Sequence, residues 1–280
     1  MNKEQIDKII EEIKNELTTF NIAQKNLEKF GRVDHLDDTY LSYLNGVGGN
    51  YVKFLALLTK KLQFKTIVEL GNREGLSTLA MYDQLPTSSS LTTIDIIEDV
   101  RYCPAQMHTD PRVKFLLGDV CSLGILKQVP DQIDLLFSDT IHYDFQVRDE
   151  FSIYRHLLND VALVAVDDIH TNDKGKFWDE LQYEKWDLTE LCHQGGGWGL
   201  FLYKRKVELP KEIRWQNAIE ASVKVWERKY QETLTLYDNS PVKSFTRELK
   251  GFIKKIPFVY RLFCKLNNKF VFIKLDTRPY

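Results

Sequence analysis

The stretch TIVELGNREGLST, Thr66 to Thr78, decides how this chain is read. Thr66–Leu70 is a short aliphatic run that does not alternate, the pattern of a strand buried on both faces. Gly71 follows at once, Gly75 comes four residues later, and Leu76-Ser77-Thr78 starts a helix-length segment. A buried strand, a glycine turn and a helix in succession open a βαβ unit.

The pattern continues outward. Leu91–Ile96, Val113–Leu117, Ile133–Phe137 and Val161–Val166 are further short runs rich in Val, Ile, Leu and Phe. The segments between them are long enough for right-handed crossovers. Trp186–Cys192 and Trp198–Tyr203 also read as strands, but only His193-Gln194-Gly195-Gly196-Gly197 separates them. That is too short for a crossover, so an antiparallel hairpin is expected. The expected fold is α/β: a doubly wound, Rossmann-like, mostly parallel seven-stranded sheet with an antiparallel closing hairpin and helical additions at both ends. Residues 1–60 read as an N-terminal helical cap, 61–205 as the core and 206–280 as a C-terminal helical extension. In the cap, Ile6, Ile9, Ile10, Ile13 and Leu17 give residues 1–30 a helical stripe. Residues 50–62 repeat it after a loop marked by Asn45-Gly46 and Gly48-Gly49. In the extension, Ile219, Val223, Trp226, Tyr230, Leu234 and Tyr237 form another stripe.

The 280 residues carry 38 Lys+Arg against 40 Asp+Glu, a net charge of −2. The sum hides a split: Val242–Tyr280 holds 10 Lys+Arg and 2 Asp+Glu, net +8, which leaves −10 on the rest. Composition is that of an ordinary globular chain. No apolar run approaches the roughly 18 residues of a membrane-spanning helix, and the charged start is unlike a secretory signal peptide. Cys103, Cys121, Cys192 and Cys264 have no metal-ligand spacing and read as reduced, buried thiols in a cytoplasmic protein.

Acids collect where the predicted strands end. Glu69 is an acid in a buried setting and calls for a partner, either a ligand ammonium group or backbone N–H groups of the loop. Gly71 suits the tight turn, and Gly75 suits a ligand's approach to the next helix N-terminus. Asp95 ends the second strand, 20 residues after Gly75, where an acid accepts from ribose hydroxyls. Asp119 follows the third strand, where it can accept from an adenine amino group. Each acid alone reads equally as a cap or turn residue. Three of them with a glycine loop, all at strand carboxyl ends, point to a nucleoside-bearing ligand. The spacing E-x-G-x-x-x-G, with Arg73 inside it, disfavours a dinucleotide.

A second cluster follows the fourth and fifth strands, in Ser138-Asp139-Thr140-Ile141-His142 and Asp167-Asp168-Ile169-His170. Adjacent strands would bring Asp139, Asp167 and Asp168 together. Carboxylates so placed repel unless protons or a cation intervene, and a hard cation such as Mg²⁺ suits them. The plainer alternative makes one Asp a helix cap and pairs another with Lys or Arg. His142 can take a proton from a substrate hydroxyl, with His170 as a second claimant.

These residues together resemble class I S-adenosylmethionine-dependent methyltransferases over about residues 60–205. The likeness is greatest to the branch of metal-dependent sugar O-methyltransferases, whose glycine loop reads E-[IL]-G-x-x-x-G-x-S-T and whose later strands end in D-x-x-H and D-D. The resemblance implies that Glu69, Gly71, Gly75 and Ser77 serve the methionine part of the donor. It implies that Asp95 binds the ribose and that Asp119 and Ser138 complete the donor site. Asp139, Asp167 and Asp168 would hold Mg²⁺, with His142 as the base. Many relatives read D-x-D-H where this chain has Ile141, so a base at that position is absent, and either more weight falls on His142 or the reaction is left to metal activation alone.

The expected activity is therefore methyl transfer to a hydroxyl of a sugar, glycan or other small molecule. An NAD-dependent oxidoreductase and a non-catalytic relative are the alternatives. The basic tail interleaves Lys250, Lys254 and Lys255 with Phe245, Leu249, Phe252, Ile253 and Ile256. Such a helix suits an anionic membrane surface, or packs on the acidic body or on a second subunit of a homo-oligomer. No nucleic-acid motif accompanies the charge. Acceptor choice is expected from the N-terminal helices, the Asn45–Asn50 loop and the region after Asp168.

Overall fold

The computed structural model describes residues 1–20, 46, 49–98, 100 and 102–238. The basic tail, Cys264, residues 21–30 of the first expected helix and most of the Asn45–Asn50 loop lie outside them. Met1–Val223 form one compact unit, and a second begins at Lys224.

Seven strands form one sheet: β1 (Thr66–Leu70), β2 (Ser90–Asp95), β3 (Val113–Leu117), β4 (Ile133–Ser138), β5 (Leu158–Asp167), β6 (Glu184–Asp187) and β7 (Trp198–Lys204). Their order is β3-β2-β1-β4-β5-β7-β6. β1 to β5 are parallel, and β7 runs antiparallel between β5 and β6. The order reverses at β1, which pairs with both β2 and β4. That switch point is where an open α/β sheet leaves a crevice at its carboxyl edge.

One face is covered by α1 (Lys3–Glu16) and α2 (Asn50–Leu62). Asn2 and Gln5 close a capping box at the start of α1. Ile6, Ile10, Ile13 and Leu17 join Phe54, Leu55 and Leu58 in the same buried cluster as Ile67, Phe137, Leu163 and Leu200. The two helices thus share the sheet's core. The phenyl ring of Phe54 and the indole of Trp198 lie 5.0 Å apart. The crossovers are α3 (Leu76–Asp83), α4 (Ala105–Thr109), α5 (Leu123–Leu126), α6 (Asp144–Tyr154) and α7 (Lys174–Glu180). On the opposite face, Phe151 of α6 meets Phe177 of α7 at 5.7 Å and Phe201 of β7 at 5.4 Å, both edge-on.

Two expectations need correction. The strand expected over Trp186–Cys192 ends at Asp187, and Thr189–Cys192 forms a short helix, α8. The Asp187 carboxylate accepts from Thr189 N at 3.0 Å and from its hydroxyl at 2.5 Å, which turns the chain. Leu188 and Cys192 are then buried. The antiparallel pairing of β6 with β7 holds, but a helical turn as well as the glycine loop connects them. The second correction concerns α9 (Lys211–Asp238). Within the first unit its expected stripe position Ile219 is exposed, at 36%. Within the first unit the buried positions are Ala218 and Ser222, offset by one residue. Small side chains occupy this face, and the Ser222 hydroxyl donates to Cys121 O at 2.6 Å. Among the described residues no helix is long and apolar enough to cross a membrane.

Candidate active site

The glycine loop is wedged between β2 and β4. Gly71 N donates to Ile94 O and Asp139 N donates to Leu70 O, each at 2.8 Å. Gly71 sits at φ +83°, and a Cβ there would fall 2.0 Å from the Asp139 carbonyl oxygen. Only glycine fits such a position. Gly75, at φ +90°, would set a Cβ 2.5 Å from Cys103 Sγ. On its Cβ side the space it leaves is filled by Cys103.

Glu69 is fully buried, and within the chain its partners are hydroxyls rather than loop N–H groups. Ser77 Oγ donates to Oε1 at 2.5 Å, while Thr78 Oγ1 and Thr93 Oγ1 donate to Oε2 at 2.5 and 2.7 Å. Two of these hydroxyls come from the motif itself. Burial outweighs them and pushes the Glu69 carboxyl up to about 7. Asp95 ties down the loop: Oδ2 accepts from Asn72 N at 2.9 Å and Arg73 N at 2.7 Å, and Oδ1 from Ile97 N at 2.9 Å. A carboxylate oxygen has two acceptor positions, so Oδ1 retains one. Asp119 Oδ1 accepts from Cys121 N at 2.7 Å, an Asx turn. Ser138 Oγ donates inward to Glu150 Oε2 at 2.7 Å.

The acids after β4 and β5 do not gather as a set of three. Asp139, His142 and Asp168 do, each offering an atom within 4.8 Å of the others. His142 Nε2 lies 2.9 Å from Asp168 Oδ2. Asp167 is not in that group, and its two oxygens accept from Gln194 Nε2 at 3.1 Å, but it stays close enough to act on Asp139. Asp168 adopts φ +58°, the left-handed region that a side chain other than Gly, Asn or Asp seldom enters. It is held there from two sides. Thr171 Oγ1 donates to Oδ1 at 2.9 Å, and Gly196 leaves room, since a Cβ there would fall 1.7 Å from the same oxygen. Burial, reinforced by Asp168, pushes Asp167 up to about 6. Burial and the neighbouring Asp167 hold Asp139 well above the ordinary carboxylate range. His170 lies outside this group, 2.8 Å from Asp187 Oδ2 at Nε2. A separate cleft of about 740 Å³ at the opposite, amino-terminal edge is lined by Gln5, Glu12, Lys65 and Asp134 and holds none of these acids.

A family model described as a methyltransferase domain matches residues 68–169. Over those residues the chain is similar to that domain. The sheet is Rossmann-like and mostly parallel, with an antiparallel end. Among solved structures, the SAH-bound methyltransferase of Podospora anserina is similar at 15% identity, covering 73% of this chain and 97% of that one, with a TM-score of 0.50. A methyltransferase of Geobacter sulfurreducens matches at 17% identity over 66% of this chain and 99% of that one, TM-score 0.47. An O-methyltransferase of Bacillus cereus in complex with SAH matches at 17% over 67% and 100%, TM-score 0.47. At 15% identity the likeness to the Podospora anserina protein is one of fold. No curated protein matches the sequence significantly.

Two residues in and beside the matched stretch escape a reading by strand ends. Glu150, on α6 and 1% exposed, accepts from Ser138, Thr140 and Gln146. Burial raises its carboxyl above the ordinary range. Lys174, the first residue of α7, is fully buried and its Nζ has no hydrogen-bond partner. A signal existed for both. Glu150 falls on the stripe of Val147 and Tyr154, and Lys174 stands three and four residues before Phe177 and Trp178, so helical spacing puts each charge on a buried face.

Proposed function

We propose that this protein is an S-adenosylmethionine-dependent O-methyltransferase whose acceptor oxygen is held beside His142. The observation that carries the reading is the contact between Gly71 and the Asp139 carbonyl, which puts the donor loop and the acid cluster on one crevice edge. In this reading the glycine loop takes the methionine part of the donor, the open position on Asp95 Oδ1 takes a ribose hydroxyl, and Asp119 takes the adenine amino group. Ser77 and Ser138 act through the buried carboxylates they bond. With Nε2–H of His142 donating to Asp168, Nδ1 is the acceptor for the substrate hydroxyl's proton. The oxygen then attacks the methyl carbon in line and the sulfonium leaves as a neutral thioether, so the site works chiefly by positioning. The D-x-x-H and D-D motifs favour a sugar, glycan or other small-molecule hydroxyl as acceptor. The acidic body and free cysteines suit a cytoplasmic enzyme, with the basic tail as a membrane or subunit contact.

The grouping of Asp139, His142 and Asp168 favours a second reading, with divalent-metal assistance. Two carboxylates and an imidazole fit a cation such as Mg²⁺ or Mn²⁺, and these three residues would hold it, with Asp167 behind them. When bound, such an ion lowers the pKa of the acceptor hydroxyl. Calorimetric titration with S-adenosylmethionine tests the main reading. Binding is expected, weakened at least about tenfold in Asp95→Asn through the lost ribose bond. A wild-type protein that binds no methyl donor would overturn it.

A further inference from the structure

Asp139 follows β4, Asp167 ends β5, and Glu150 lies buried on α6, bonded to Ser138 and Thr140. Within reach of these three carboxylates is the side chain of Lys174, 0% exposed and with no hydrogen-bond partner at Nζ. Its charge acts on Asp139, Asp167 and Glu150. A buried ammonium without an acceptor is costly and persists where opposite charge surrounds it. Its position is set by the fold. Lys174 N donates to Thr171 O at 3.2 Å, one residue stretch beyond the Asp168 turn, and Phe177 and Trp178 bury the same side of α7. A divalent ion at the Asp139–His142–Asp168 group would enter the field of this ammonium, and like charges in a poorly solvated site repel strongly.

We propose that Lys174 is a built-in counter-cation of the crevice acids, and that it holds down the affinity of Asp139, His142 and Asp168 for divalent metal. The inference rests on reading those three residues as a cation site. Part of the cluster's charge is then balanced permanently by the chain, and the metal becomes an exchangeable helper.

The test is titration of the full chain with Mn²⁺, followed by electron paramagnetic resonance. Wild type and Lys174→Arg should bind alike and weakly. Lys174→Met should bind at least about tenfold more tightly, as one unit of repulsion is removed from a divalent ion. Asp167→Asn should weaken binding, and Asp167→Asn with Lys174→Gln should restore it, which keeps the idea testable if Lys174→Met fails to fold. Equal Mn²⁺ affinity in wild type and Lys174→Met, or a double variant no tighter than Asp167→Asn, would overturn the proposal. Asp168→Asn separates the two readings. If it abolishes Mn²⁺ binding while Lys174→Met changes nothing, only the role of Lys174 falls. If it changes nothing either, the cation site falls with it. Donor binding by calorimetry stands apart from both.

Discussion

Glu69→Gln isolates the energetics of the buried carboxyl beneath the glycine loop. Burial is the largest influence on Glu69, and it overcomes three donated hydroxyl hydrogen bonds to push the carboxyl up to about 7 from an ordinary 4.5. The folded chain therefore holds this proton more tightly than the unfolded chain. Below pH 4.5 the group is protonated in both states and costs nothing extra. As pH rises from 4.5 through 7, the unfolded chain releases its proton first, and stability is lost. At about 1.4 kcal/mol per tenfold, the loss is complete above pH 7 at about 3 kcal/mol. Glutamine keeps the shape and cannot ionise, and the Ser77, Thr78 and Thr93 hydroxyls can rotate to meet its amide. Urea denaturation of wild type and Glu69→Gln at intervals from pH 4.5 to 8 reads the difference directly, since the other titrating groups are common to both. The variant should gain about 3 kcal/mol relative to wild type across that range. A difference that stays flat within about 0.5 kcal/mol would refute the reasoning, because it would mean that the hydroxyls keep the carboxylate ionised throughout.

Gly71→Ala should destabilise the fold by at least about 2 kcal/mol, since both φ and the Asp139 carbonyl oppose a Cβ; thermal denaturation measures it. Gly196→Ala should leave stability much nearer wild type but displace the Asp168 carboxylate. Turnover should then drop more than donor affinity, as read by methyl-transfer kinetics beside calorimetry. His142→Gln should retain donor binding and lower kcat by roughly 10²–10⁴-fold, the usual share of a general base. An unchanged kcat would remove His142 from the proton path.

How much of the site could be read from the sequence differs from residue to residue. The positions of Asp95 and Asp119 at strand ends were visible because a parallel sheet writes its buried strands as continuous apolar runs, and an acid that closes such a run stands at its carboxyl edge. Which acids act together was not visible. Asp167 and Asp168 are neighbours in the chain, yet Gln194 takes one and His142 the other. The left-handed turn at Asp168 and the space beside Gly196 decide this, through a loop 28 residues away. The partners of Glu69 were likewise undetermined, because desolvation depends on what covers a group and not on its neighbours in sequence.

By itself the sequence determined the sheet, its antiparallel end and the edge where the acids collect, because periodicity and glycine placement are local properties of the chain. The tertiary structure alone decided the ends of β6, the buried face of α9, the grouping of Asp139 with His142 and Asp168, and the burial of Lys174 among the acids. Each of these depends on contacts between segments distant in sequence, where the charge balance and the available space are set by packing.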